Sequence, residues 1–125
     1  MLTIQPNEDY ILSILKKLLD TPSPSGFTAQ VMNLVAEEAA ALNVPLTWNE
    51  KGGVILTVAG LDPSRTIGIS AHVDTLGAMV RSIKSNGTLR LTSVGGFTMH
   101  SIENEYCVIH TRSGKTYTGT ILTSH

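Results

Sequence analysis

An apolar segment that runs directly into a histidine and an aspartate is the feature that most constrains this chain. In residues 67–71, two isoleucines and an alanine alternate with a glycine and a serine. This alternation predicts a strand that is packed on both faces, with the glycine allowing a neighbouring element to approach closely. We therefore predict that residues 67–71 form a buried strand of an α/β sheet.

His72 and Asp74 follow this segment at its C-terminal end. Side chains two positions apart on an extended chain point to the same side, so the imidazole and the carboxylate can share one pocket. Open α/β sheets usually bind their ligands at that end of the strands. The two residues are consistent with an ordinary hydrogen-bonded pair or with the first part of a metal site, and their spacing alone leaves both interpretations open.

A first helix is predicted to start after Asn7, which can cap it, and to carry Glu8 and Asp9 in its first turn near the positive end of the helix dipole. The prolines of the loop at residues 21–26 end it. Its apolar side chains form one stripe at helical spacing that is typical of core packing. This stripe consists of Tyr10, Ile11, Ile14, Leu15, Leu18 and Leu19.

A second helix is predicted between a cap at Ser25 or Thr28 and an end at Asn43. Glu37 and Glu38 are adjacent within it, and two carboxylates suggest acid–base chemistry. Adjacent residues of a helix do not share a face, so we interpret both as solvent-facing side chains.

Short strands are predicted for the rest of the chain. An Asn86-Gly87 turn between two alternating segments is a strong hairpin signal. No helix pattern appears after about residue 75, and the recurring strands and turns are typical of a small barrel. The predicted strands, besides the one at 67–71, are residues 46–50, 53–60, 78–84, 88–92, 106–111 and 116–122.

Composition disfavours several classes of partner and excludes some kinds of covalent and metal site. Nine basic and ten acidic side chains give a net charge of −1, which disfavours binding to nucleic acid or to an anionic membrane. The single Cys107 cannot form an internal disulfide or a cysteine-rich zinc site. Because the first residues do not have the pattern of a signal peptide and no apolar stretch is long enough to span a bilayer, we expect a cytoplasmic protein.

The segment SAHVDTLGAMV at residues 70–80 resembles the HxDxxGxMV segment of the dinuclear metallo-aminopeptidases, which include glutamyl, deblocking and tetrahedral aminopeptidases. TPSPSG at residues 21–26 resembles the first interhelix loop of that family, and Gly95-Gly96 and GKTYTGTILTSH at residues 114–125 resemble later landmarks. The resemblance covers nearly the whole chain, which corresponds to the N-terminal third or so of these longer proteins. It departs from the family at Thr75, where many members have glutamate.

This resemblance implies an α/β fold in which residues 1–75 begin a zinc-peptidase-like catalytic domain. Residues 76–125 would be the first strands of an inserted β-barrel domain for dimerisation. The implied function is hydrolysis of N-terminal residues from peptides by a homo-oligomeric enzyme that holds two divalent metal ions, zinc or cobalt. His72 would be a metal ligand, and Asp74 would be the catalytic residue that holds the His72 ring in the required tautomer.

The remaining ligands and the general base of the family have no matching positions in this sequence, so the chain by itself is expected to be inactive. His100, His110 and His125 are further histidines, which we do not expect to be ligands. One alternative is a non-catalytic oligomerisation module. Another is a metal-dependent deacylase or dipeptidase, because the related HxDT motif of those enzymes also has a threonine after the aspartate.

Overall fold

The first helix begins where its capping residue predicts. In the computed structural model, which describes residues 5–122, helix α1 spans Glu8–Asp20. The side chain of Asn7 accepts a hydrogen bond from the backbone N–H of Tyr10 at 3.0 Å. Thr21 follows the last turn with an extended backbone. The predicted cap and the predicted end of the first helix are both confirmed.

Helix α2 spans Ala29–Ala41. Thr28 occupies the capping position, although its side chain makes no capping hydrogen bond. Beyond the other end, Asn43 has a φ of 55°, a left-handed conformation that asparagine tolerates better than most residues and that ends the helix as predicted. Neither helix of the described chain has the length and apolar character needed to cross a membrane.

The two helices are joined by the side chain of Glu38, and the prediction that this residue faces solvent is wrong. Its Oε1 lies 2.7 Å from Lys17 Nζ, and its Oε2 accepts a hydrogen bond from the Tyr10 hydroxyl at 3.3 Å. The hydrogen bond from Lys17 lowers the pKa of Glu38. Glu37 is exposed, as expected for the adjacent residue, so the two carboxylates form no acid–base pair.

Little of the apolar stripe of α1 is covered, so the prediction of core packing is wrong for most of it. No residue of α1 is buried, and Leu15 and Leu19 remain about half and two-thirds exposed. An open groove of about 230 Å³ lies between the helices and Leu56. Among the described residues, the buried side chains are Val31, Ala39 and Ser23.

Within residues 5–122, six strands form three antiparallel hairpins. Strand β1, Leu46–Trp48, pairs with β2, Val54–Leu56. Strand β3, Gly77–Ile83, pairs with β4, Leu89–Val94, and a register shift between Val80 and Ser82 interrupts this ladder. The turn after β3 contains Gly87 at a φ of 84°, which confirms the hairpin predicted from Asn86-Gly87.

The chain divides into two units, Met1–Gly95 and Gly96–His125. In the second unit, a 3₁₀ turn at Met99–Ser101 precedes β5, Tyr106–His110, and β6, Thr116–Thr120. These two strands pair along their whole length, as predicted, whereas the 3₁₀ turn was not predicted. The assignment of residues 1–75 to a catalytic domain and of 76–125 to a barrel stays a prediction.

The prediction of a buried strand at residues 67–71 is wrong. These residues form no strand, and Ile67 and Ile69 are 84% and 93% exposed. A strand exists only through hydrogen bonds to a neighbouring strand, and none of the described segments pairs with this one. The alternating pattern identifies a segment suited to a buried sheet, but it does not supply the neighbours that such a sheet needs.

Candidate active site

His72 and Asp74 are hydrogen-bonded to each other, as their spacing predicts. His72 Nδ1 lies 2.9 Å from Asp74 Oδ1. The imidazole is 83% exposed, whereas the carboxylate is 40% exposed. The ring is therefore held through one nitrogen while the rest of it faces open space.

The other oxygen of Asp74 is bound by a residue from the loop between the helices. Ser25 Oγ donates a hydrogen bond to Asp74 Oδ2 at 2.5 Å, across 49 positions of sequence. The hydrogen bond from Ser25 and the one from His72 both lower the pKa of Asp74, with the serine contributing more. The carboxylate is thus ionised at neutral pH and is held at both of its oxygens.

Ser23 attaches the same loop to the backbone on either side of Asp74. Its side chain is fully buried, and its hydroxyl donates to the Val73 carbonyl oxygen at 3.0 Å. The Thr75 N–H in turn donates to the Ser23 carbonyl oxygen at 2.9 Å. The Thr75 hydroxyl also lies 3.3 Å from Ser23 Oγ, so the residue that departs from the family pattern takes part in this attachment.

A close approach at Gly77 completes the contact between the loop and the site. Pro24 forms a parallel bridge with Thr75. A Cβ atom on Gly77 would lie 2.6 Å from Pro24 Cβ, a distance shorter than any ordinary carbon contact. The absence of a side chain at this position therefore allows the proline loop to lie against the start of β3.

Two further histidines, His100 and His110, belong to the second unit. His100 Nδ1 lies 3.7 Å from Glu103 Oε2 in the second unit, and His110 is an exposed residue at the end of β5. His125 lies outside the described residues. Within residues 5–122, no three His, Cys, Asp or Glu side chains are grouped so that they could hold a metal ion. His72 and Asp74 are thus not joined by a third possible metal ligand among the described residues.

Sequence reasoning missed the contribution of Ser23 and Ser25. The sequence patterns assign the prolines of this loop to the end of the first helix and Ser25 to a helix cap, and neither assignment predicts a contact with Asp74. The available signal was that the TPSPSG loop and the HxD segment both match landmarks of one family. Two matching segments far apart in sequence are candidates for contact in the fold, and here they are hydrogen-bonded.

A histidine whose Nδ1 is held by a carboxylate, with Nε2 left for a ligand, is an arrangement that metal-dependent hydrolases use. The chain belongs to the M42 glutamyl aminopeptidase family, whose model matches residues 52–125. The resemblance inferred from the sequence is therefore confirmed.

Individual relatives agree with this assignment. YhfE of Bacillus subtilis (strain 168), a provisionally named aminopeptidase, is 49% identical over 111 residues, which cover 89% of this chain and 32% of YhfE. The glutamyl aminopeptidase of Lactococcus lactis subsp. cremoris is 29% identical over 102 residues, which cover 81% of this chain and 29% of that enzyme. The chain spans about a third of the length of the relatives it matches.

The fold is also similar to that of a solved structure. A TET aminopeptidase from the marine sediment archaeon Thaumarchaeota archaeon SCGC AB-539-E09 matches with a TM-score of 0.82 and 26% identity. The match covers 96% of this chain and 33% of the archaeal one. The predicted α/β fold of the zinc-peptidase-like class is thereby confirmed. The two later hairpins are compatible with the start of a barrel, which stays a prediction.

Proposed function

We propose that this chain forms part of a metal-dependent aminopeptidase that hydrolyses N-terminal residues from peptides. His72 is the metal ligand in this proposal, and Asp74 is the catalytic residue that orients it. The observation that carries the proposal is the 2.9 Å contact between His72 Nδ1 and Asp74 Oδ1 in a member of an aminopeptidase family. The family match also favours an aminopeptidase over the alternative of an HxDT deacylase or dipeptidase.

The hydrogen bond determines which ring nitrogen is available. A proton on His72 Nδ1 donates to the Asp74 carboxylate, which leaves the lone pair of Nε2 free for a metal. The carboxylate also raises the basicity of the ring. Because the pKa of Asp74 is lowered, the carboxylate stays ionised and remains an acceptor at neutral pH. These two residues therefore fit a metal ion as one ligand with its supporting partner.

Two divalent metal ions, zinc or cobalt, would lower the pKa of a bound water and polarise the scissile carbonyl. A catalytic zinc usually has three protein ligands, whereas the described residues offer His72 alone at this position. The other ligands and the general base are proposed to come from chain segments beyond this sequence. The 125-residue chain by itself is then inactive.

The proposal extends to assembly and location. Large apolar side chains such as Leu61 and Ile67 are 104% and 84% exposed, which favours contact with further chain segments or further subunits. We propose a homo-oligomer, which this surface favours, that is located in the cytoplasm and acts on peptides. The net charge of −1 gives no support for nucleic acid or anionic membrane as a partner.

The test is a comparison of two histidine variants in the full-length protein that contains this chain. His72→Ala should reduce bound metal and abolish release of N-terminal residues from a panel of peptides. His100→Ala is the matched control, because its ring is 80% exposed and also lies near a carboxylate, that of Glu103. Unchanged metal content in His72→Ala would refute the proposed ligand, and peptide hydrolysis that persists without metal would refute the proposed mechanism.

A further inference from the structure

Ser25 forms a hydrogen bond to the carboxylate oxygen of Asp74 that does not contact His72. Oδ1 of the carboxylate contacts His72 Nδ1, while Oδ2 accepts the proton of the Ser25 hydroxyl. A carboxylate held at one oxygen can still rotate about its Cβ–Cγ bond and carry the second oxygen away from the ring. A donor at each oxygen removes that freedom, because any rotation breaks one of two charge-assisted hydrogen bonds.

The backbone that carries Ser25 is itself fixed to the segment that carries Asp74. The buried hydroxyl of Ser23 reaches the Val73 carbonyl oxygen, and the Thr75 N–H reaches the Ser23 carbonyl oxygen. These contacts lie immediately before and after Asp74 in sequence. The loop therefore has a defined position relative to the carboxylate, and the contact made by Ser25 is not that of a freely moving surface side chain.

The order of contacts excludes a nucleophilic role for Ser25. In a catalytic Ser-His-Asp triad the histidine lies between the serine and the carboxylate and removes the serine proton. Here Asp74 lies between Ser25 and His72, and the serine hydroxyl donates to Asp74 Oδ2. A carboxylate is a far weaker base than a serine alkoxide, so the hydroxyl keeps its proton and acts only as a donor.

We propose that Ser25 is a positioning residue of the metal site, which fixes the Asp74 carboxylate so that this carboxylate in turn fixes the His72 ring. The proposal rests on the metal-ligand role of His72 given above. It assigns a purpose to the interhelix loop: the loop brings a hydroxyl donor to the site from a distant part of the sequence. Loss of the donor should loosen the ring while every atom of the ligand and of the carboxylate is retained.

The experiment compares Ser25→Ala, Ser25→Cys and Ser25→Thr in the full-length protein. Zinc dissociation constants are measured by competition with a chelator, and thermal unfolding is followed for each metal-free variant. We expect Ser25→Ala to weaken zinc binding about tenfold, the lower end of the effect of losing a partner behind a ligand. Ser25→Thr keeps the hydroxyl and should restore the affinity. Ser25→Cys keeps the side-chain volume but is only a weak donor, so it should also weaken zinc binding. It provides the test of zinc affinity if the alanine variant folds poorly.

A second readout follows the ring directly, without metal. ¹⁵N-histidine spectra of the metal-free protein distinguish the two neutral tautomers of His72, whose signal is assigned by its loss in His72→Ala. Ser25→Ala should shift the population away from the tautomer protonated at Nδ1. Ser64→Ala is the matched control, because Ser64 Oγ also donates to an aspartate, Asp62 Oδ1, at 2.6 Å in another loop. It should leave both the tautomer and the zinc affinity unchanged.

The outcomes separate this proposal from the proposed function. A folded Ser25→Ala variant with unchanged tautomer population and unchanged zinc affinity would overturn the role of Ser25, while loss of zinc in His72→Ala would still support the ligand. Unchanged zinc content in His72→Ala would overturn the proposed function and the role of Ser25 together. Equal effects of Ser25→Ala and Ser64→Ala would also overturn the positioning role, since they would indicate a general loss of stability.

Discussion

Substitution of Gly77 by alanine is the sharpest available test of how the interhelix loop is held against the site. Gly77 has no left-handed backbone conformation, so alanine introduces no strain in φ. The only penalty is steric, because the new Cβ would lie 2.6 Å from Pro24 Cβ and 3.2 Å from Pro24 Cγ. We expect the substitution to push the proline loop away from β3.

The size of the effect follows from these distances. Carbon atoms in contact lie about 3.5–4.0 Å apart, so Pro24 and residue 77 must separate by roughly 1 Å. Overpacking of this kind typically costs about 1–3 kcal/mol. The same displacement would lengthen the Thr75 N–H to Ser23 carbonyl hydrogen bond, which measures 2.9 Å. If that bond opens together with the loop, the Thr75 amide should exchange about 5- to 150-fold faster.

The assay is amide hydrogen exchange at Thr75 in the full-length protein, by NMR or by mass spectrometry of short peptides. Gly60→Ala is the matched control, because a Cβ there would come no closer than 4.0 Å to the Asp62 carbonyl oxygen and the backbone is again not left-handed. In the Gly60→Ala variant, the exchange rate of the Thr75 amide should equal that of the unsubstituted protein. Equal exchange in the Gly77→Ala and Gly60→Ala variants would refute the idea that a missing side chain at position 77 lets the loop lie against the site.

Three further predictions follow from the site and the helices. Asp74→Asn should weaken metal binding and peptide hydrolysis about 10–100-fold, less than His72→Ala does, as measured by metal analysis and turnover; equal losses would contradict a supporting role for Asp74. Lys17 lowers the pKa of Glu38, so their contact stabilises the fold above the ordinary glutamate pKa and loses this effect as pH falls through the lowered value. Lys17→Met should therefore lower the denaturant midpoint at pH 7, and this difference should shrink as falling pH protonates Glu38; an equal shift at every pH would exclude the ion pair as the cause. The 125-residue chain alone should elute as an oligomer or aggregate in size-exclusion chromatography with light scattering, since its apolar surface is exposed; a compact monomer would contradict this.

Local chemistry explains why the helices and hairpins were predictable. Asn7 caps α1 through a contact three residues away, and Asn86-Gly87 sets its own turn, so neither feature needs a distant partner. The contact between His72 and Asp74 is equally local, because their separation by two residues places both side chains on one side. These parts of the fold and of the candidate site were therefore determined by the sequence alone.

Long-range contacts determine the features of the fold and of the candidate site that the sequence patterns did not predict. The Glu38 side chain is partly covered because Lys17 and Tyr10 of the other helix donate hydrogen bonds to it. Residues 67–71 are unpaired although their pattern suits a buried strand. The hydrogen bond from Ser25 to Asp74 joins positions 49 residues apart. Periodicity and capping rules describe neighbours within a few residues, whereas a contact of that span exists only once the chain has folded back on itself. The tertiary structure alone therefore places the Ser25 hydroxyl on the carboxylate of Asp74.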